Sequence, residues 1–282
     1  MRRGDAARLL LLAAIWGASF LFIRITSPVI GPVLTADLRM LIAGIALAAY
    51  FRLIGSDAAW RRWWRQYVIV GILTSALPFL LYAYAALSLS AGLMAVINAS
   101  SPMWGALFSA WLLGERLAPR GVAGLLIGIV GVALVTRPEA GAAFAALPVL
   151  AATGAAVCYG LAGAYMRRWA QGVPSRSMAL GTQIAGGVLL APLIAVVPPF
   201  APPSALVVAC VLALGLVCGA VAYLLYFRLV TDIGAAGALT VTYLIPIFGV
   251  AWGALFLGES LSLPMLAGAA LVLLGTFFVL RK

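Results

Sequence analysis

Five aromatic residues with a polar handle lie inside long apolar runs of this sequence: Trp16, Tyr82, Tyr159, Tyr226 and Tyr243. Such a ring stacks on an apolar side chain or meets an ammonium group through its quadrupole. Its hydroxyl or indole N–H can bond a carboxylate. Asn98 and Thr242 add short polar groups in two of the same runs. As a set, these residues describe a binding site for a small neutral or zwitterionic substrate. Singly, each also reads as bulk packed against lipid or a neighbouring helix, with its hydroxyl satisfied.

Prolines and glycines recur beside them. Asn98, Pro102, Gly105 and Ser109 share one face at helical spacing, as do Thr242, Pro246, Gly249 and Gly253. Proline removes a backbone hydrogen bond and frees a carbonyl about a turn earlier. In a bilayer that carbonyl is tolerable where protein or a water-filled cavity satisfies it. The two faces are candidates to line a pathway or, alternatively, kinks that only shape packing. Pro78, close to Tyr82, carries the same logic.

The chemistry that is missing narrows the function. There is no His, and Cys158, Cys210 and Cys218 all fall in apolar runs without a CxxC pair. Neither a metal site nor a disulfide framework is expected. Most of the seven acids lie in connections or tails. An intramembrane lipid-modifying enzyme would need titratable groups clustered at a cleft, so that reading falls far behind. A phosphorylated substrate would need several buried Lys or Arg. No cofactor is expected.

The elements that position these residues follow from composition. Of 282 residues, 65% are apolar and 9% charged, and the mean hydropathy is +1.16. A soluble fold needs a larger polar skin. The sequence predicts an integral membrane protein with ten helices, roughly over 8–27, 33–54, 67–87, 90–113, 120–136, 148–167, 176–198, 204–229, 234–257 and 262–280. The net charge of +11 needs no nucleic acid. With the N-terminus in the cytoplasm, all of the 18 basic residues except Arg24, Arg39 and Arg137 fall on the inner side. Both termini are then cytoplasmic. The first run also reads as a signal peptide, but it has a counterpart in the second half. WRRWWRQY (60–67) reads as an interfacial anchor to membrane lipid.

Arg24 then ends the first helix on the outer side, and Asp37 and Arg39 begin the second. Arg39 reads as a gate, as a contact for a substrate carboxylate, or as the ion-pair partner of Asp37. Glu115 and Glu259 sit in helix–helix turns. Each is expected to cap the helix that follows, with a conformational latch as the alternative.

The halves repeat. At an offset of 144, SPMWGALFSAWLLGERL (101–117) lies over IPIFGVAWGALFLGESL (245–261), matching Pro102 to Pro246, Gly114 to Gly258 and Glu115 to Glu259. The same offset puts Tyr82 on Tyr226, and an offset of 143 puts Arg24 on Arg167. Residues 1–138 and 139–282 therefore form two five-helix units. Because five is odd, the second enters the membrane from the opposite side. This inverted-topology repeat is an architecture of secondary transporters, in which two similar units exchange conformations around a midplane cavity. A monomer suffices for it, so no oligomer is required.

The sequence resembles the drug/metabolite transporter superfamily in its ten-helix EamA branch. The carrying residues are AAIWGASFLFIR (13–24), LRMLIAG (38–44) and LLGERLAPRGVAGLLIGIVGVAL (112–134) with its copy at 257–275. The resemblance covers essentially the whole chain. It implies a small-metabolite transporter in the bacterial inner membrane, and bacterial amino-acid exporters of the superfamily look most alike. Arg39 matches a family position. The small multidrug relatives carry a carboxylate in their first helix and this chain has none there, which disfavours proton-coupled drug efflux. A broad-specificity drug/metabolite effluxer remains the alternative.

Overall fold

The computed structural model describes residues 3–136 and 146–280; Arg2, Arg137, Arg281 and Lys282, counted above for charge, lie outside the described residues. Among the described residues every regular element is helical. In lipid a continuous apolar run must satisfy its backbone internally, and a helix does so within one segment. The elements are α1 (Arg3–Leu53), α2 (Trp60–Gly71), α3 (Leu77–Ala85), α4 (Ala91–Asn98), α5 (Ser101–Leu113), α6 (Pro119–Val135) and α7 (Ala146–Trp169). They continue with α8 (Ser175–Ile194), α9 (Ala205–Leu212), α10 (Ala222–Leu239), α11 (Val241–Leu257) and α12 (Leu263–Leu280). Eight helical stretches are long and apolar enough to cross a membrane, and Pro119–Val135 is a shorter apolar one.

Two stretches between helices are wound more loosely, as π-helix: Ile72–Ala76 joins α2 to α3 and Ala213–Val221 joins α9 to α10. They overlap under the 144-residue offset. The sequence reading did not anticipate them. Single π-turns concentrate at functional sites because they reaim side chains.

α1 is not one straight helix. Gly31 has φ 82° and ψ 159°, outside helical geometry, and divides it into a first limb (3–30) and a second (32–53). That φ is open to glycine and strained for other residues. Trp60–Gly71 begins seven residues before the expected start of its span. Tyr67, read as part of an interfacial anchor, is fully buried, and its hydroxyl donates to the Ala58 carbonyl at 2.5 Å. Arg62 and Arg65 do lie against Trp63 and Trp64.

Contacts define two ends of the bundle. Arg8 pairs with Asp232 at 2.8 Å and Arg167 pairs with Glu115. With Ser56 and Arg176 these residues mark the near end. Arg24, the 86–92 turn and Glu259 mark the far end. α6 and α12 run side by side through glycine. A Cβ on Gly124 would stand 2.6 Å from the Gly275 carbonyl, and one on Gly131 would stand 2.9 Å from that of Gly268. The backbones approach where side chains are missing.

Candidate functional site

An aromatic cluster occupies the middle of the bundle, assembled from four helices. Trp16 on the first limb of α1 lies 5.6 Å from the Tyr226 ring and 6.2 Å from Tyr223 on α10. Its indole N–H donates to the Cys218 carbonyl at 3.3 Å, in the second π stretch. Tyr82 on α3 stacks on Tyr159 of α7 at 6.3 Å and meets Phe20 edge-on at 5.3 Å. Its hydroxyl donates to Asn98 Oδ1 at 3.1 Å. Trp16, Tyr159 and Tyr226 pack against the core, yet each keeps part of its surface accessible.

Arg39 enters this cluster from the second limb of α1. At 1.5 Å per residue it lies about 12 Å beyond the Gly31 break, well inside the span. It is 6% exposed, and its guanidinium carbon sits 3.7 Å from the centroid of the Phe79 ring. Tyr159, Cys218 and Tyr223 are within its electrostatic reach. Among the described residues it makes no hydrogen bond or ion pair, and its Nε is sealed without a partner. The Asp37–Arg39 ion pair weighed from sequence does not form. Asp37 is fully enclosed, and both its oxygens also lack a partner. The two residues are two apart on a helix, so their side chains leave in different directions. Next to the cluster Gln183 of α8 donates to Ser75 Oγ at 3.0 Å, leaving its Oε1 unsatisfied.

The other expected residues divide. Tyr243 is held apart, with its hydroxyl donating to the Thr276 carbonyl of α12 at 3.4 Å. Thr242 bonds back to the Leu239 carbonyl at the start of α11. Pro102 opens α5 just after a turn at Ala99–Ser100, while Pro246 is buried inside α11. Pro78, also buried, opens α3 directly after the first π stretch. Gly105 meets the Gly160 backbone, and Gly249 sits against Ala95 and Gly17. Arg24 donates to the Ala86 carbonyl at 2.6 Å.

The two glutamates do not cap the helices that follow them. α6 has no side-chain cap, and Ser262 is the residue that accepts from the start of α12. Glu259 instead accepts from the Ala91 and Gly92 amides of α4, and Glu115 pairs with Arg167. Glu259 thus serves a helix start in a different hairpin and Glu115 an arginine near the end of α7, partners that turn position in sequence does not reveal.

The residues missed were Phe20, Phe79, Ser75, Gln183, Cys218 and Tyr223. Two carried a readable signal. Gln183 is a long amide in an apolar run, and Tyr223 precedes Tyr226 by three, on the same helix face.

Two open cavities lie at the near end, and neither is lined by the aromatic cluster. The larger, about 910 Å³, is bordered by Asp5, Arg8, Arg228, Asp232, Gly237 and Thr240 among others. The smaller, about 330 Å³, lies between the 56–57 turn, the start of α8 and α10.

A family model described as the EamA-like transporter family matches residues 6–137 and again residues 146–281. The chain belongs to the EamA-like transporter family. It is a multi-pass integral membrane transporter. It is 28% identical to an uncharacterized transporter, YvbV, of Bacillus subtilis (strain 168), over 98% of this chain and 92% of that one. An uncharacterized transporter of Archaeoglobus fulgidus is 25% identical over 97% of this chain and 98% of its own length. A chloroplastic WAT1-related protein of Arabidopsis thaliana is 27% identical over 94% of this chain and 66% of its own length. A solved protein structure matches the fold with a TM-score of 0.69 at 23% identity, over 99% of this chain and 97% of that one.

Proposed function

We propose that this EamA-family transporter carries small zwitterions, with amino acids as the class, by alternating access through the aromatic cluster. Two inverted five-helix repeats, residues 1–138 and 139–282, surround the site. The chain crosses the bacterial inner membrane ten times with both termini in the cytoplasm. Three observations favour that count. Each limb of α1 is long enough to cross, α6 is about 25 Å long and apolar after Arg120 in its first turn, and the family model matches the chain twice over.

One observation carries the substrate reading: Arg39 is a buried cation with no counter-charge, set among aromatic rings. Holding an unpaired guanidinium in the bundle costs about several kcal/mol. A bidentate carboxylate returns much of that cost. The faces of Tyr82, Tyr159 and Trp16 are suited to the substrate's ammonium group or apolar side chain. No acid among the described residues pairs with Arg39, which favours a substrate carboxylate as the group that neutralises it.

The test is counterflow in proteoliposomes across amino acids, nucleosides and organic cations, with and without a pH gradient. The expected result is saturable exchange of amino acids that Arg39→Gln abolishes and Arg39→Lys retains weakly. Exchange of nucleosides or organic cations without amino acids would refute the assignment.

A further inference from the structure

The acids of this chain are few, and all but Glu139 lie among the described residues. Asp5 and Asp232 pair with Arg8, and Glu115 pairs with Arg167. Glu259 accepts from the Ala91 and Gly92 amides, and Asp57 accepts from the Ala59 amide. Asp37 is the exception. It is fully enclosed, and neither of its carboxyl oxygens meets a donor.

Spacing alone puts Asp37 near the outer end of its helix. The break at Gly31 places it inside the bundle, about 9 Å along the second limb of α1. Its neighbours along the limb pack in apolar company. Ala36 and Met40 cluster with Phe79 and Leu190, and Leu34 and Leu38 pack against Val207 and Val211.

The second limb is surrounded by α3, α8, α9, α10 and the second π stretch. The titratable or charged side chains of these elements are Tyr82 and Tyr84 on α3, Arg176 on α8, Cys210 on α9 and Cys218 in the π stretch. α10 adds Tyr223, Tyr226, Arg228 and Asp232. None of them bonds to Asp37. Of the nearest charges on α1, Arg24 donates to the Ala86 carbonyl and Arg39 lies over Phe79.

A carboxylate enclosed in a bundle without water, donor or cation at contact is strongly disfavoured, and such a group neutralises instead. A metal ion does not fill the role. A hard cation takes about six oxygen ligands, and no group of three or more His, Cys, Asp or Glu that could hold a metal forms among the described residues. The remaining occupant is a proton.

We infer that Asp37 is a proton-binding site that must be filled before the bundle can seal. Each crossing then carries one proton, with or without substrate. Where the limb is open to water, the acid ionises and its proton leaves to that water. To seal again, a carboxylate oxygen takes a proton from the water on that same side. The sealed carrier delivers it to the other side on opening. The inference rests on the alternating-access reading and is independent of the substrate.

Asp37→Asn tests it, because the amide has nearly the same shape and is neutral at every pH. The first measurement uses proteoliposomes with a trapped pH-sensitive dye, a clamped membrane potential and no substrate. The wild-type transporter is expected to dissipate a pH gradient at least tenfold faster than Asp37→Asn. The second measurement is counterflow of amino acids between about pH 5 and 8. Wild-type exchange should fall as pH rises, by up to about tenfold per unit for a single proton. Exchange by Asp37→Asn should be flat. The sequence holds no His, so no ordinary histidine titration confuses this range.

An absent wild-type proton flux overturns the proposal, as does a flux that Asp37→Asn retains. So does folded Asp37→Asn that exchanges nothing at any pH. Should that variant not fold, infrared spectroscopy of the wild-type protein carrying 13C-labelled aspartate serves. A label-shifted carbonyl band of a neutral acid near neutral pH is expected, and its absence also overturns the site. Proton flux without amino-acid exchange would sink the substrate assignment alone.

Discussion

Where α6 meets α12, Gly124 stands against Gly275 and Gly131 against Gly268, backbone to backbone. No orphaned buried polar side-chain atom of the described residues belongs to either helix. In the centre, Arg39 rests on Phe79 with nothing to neutralise it, and Asp37 and Gln183 Oε1 also lack partners. Both regions are buried, so burial does not distinguish them. Saturation does. A surface built only to hold helices together uses every group it buries. A surface built to receive a molecule keeps polar groups that its own fold leaves unpaired.

That contrast breaks most sharply at Arg39. Arg39→Met removes an uncompensated charge from the bundle, so the folded protein should gain about 1–4 kcal/mol against denaturation. Counterflow should fall at least a hundredfold in the same protein. Opposite signs in thermal stability and transport mark a binding group, whereas a joint loss of both would make Arg39 structural. The reverse pattern belongs to the glycine seam. A Cβ on Gly131 already stands 2.8 Å from the Val272 amide nitrogen and 2.9 Å from the Gly268 carbonyl. Gly131→Leu should therefore separate the helices and cost about 1–3 kcal/mol. Folded yield drops, while exchange per folded molecule holds.

Tyr82→Phe sharpens the comparison within the centre. It deletes the hydroxyl bonded to Asn98 and keeps the ring stacked on Tyr159. Loss of one neutral hydrogen bond is worth about 1 kcal/mol, so substrate affinity should weaken roughly fivefold. Radioligand binding to purified protein measures it. An undiminished affinity would leave the ring, and not the hydroxyl, as the working part.

Helical class, membrane residence and most of the aromatic cluster were legible in the sequence, because they follow from long apolar runs and from rings placed inside them. Trp16, Tyr82, Tyr159 and Tyr226 fall together since α1 packs against α3 and α10, and α3 against α7. Arg39 was legible as a residue and not as a depth. The tight break at Gly31 leaves almost no connection, so the second limb is already within the bundle by Arg39. The two π stretches carry no compositional mark, and the partners of Glu115 and Glu259 lie across the bundle from their own turns. Contacts between non-adjacent helices are set by packing that local spacing does not encode.

Tyr243 gives the smallest expected effect and the finest division between the two regions. By residue type and depth it belongs with the other tyrosines. Its hydroxyl nevertheless reaches the Thr276 carbonyl on α12, one residue beyond Gly275, at 3.4 Å. Thr276 in turn donates to the Ala99 carbonyl at 2.9 Å, so this part of α12 is tied to the turn between α4 and α5. A hydrogen bond that long is weak, and the carbonyl it serves already accepts within the helix. Tyr243→Phe should change stability by less than about 0.5 kcal/mol and leave the apparent KM for exchange within about twofold. A tenfold rise in KM with stability intact would return Tyr243 to the site. It would also mean that α11 turns its aromatic face toward the substrate during the cycle.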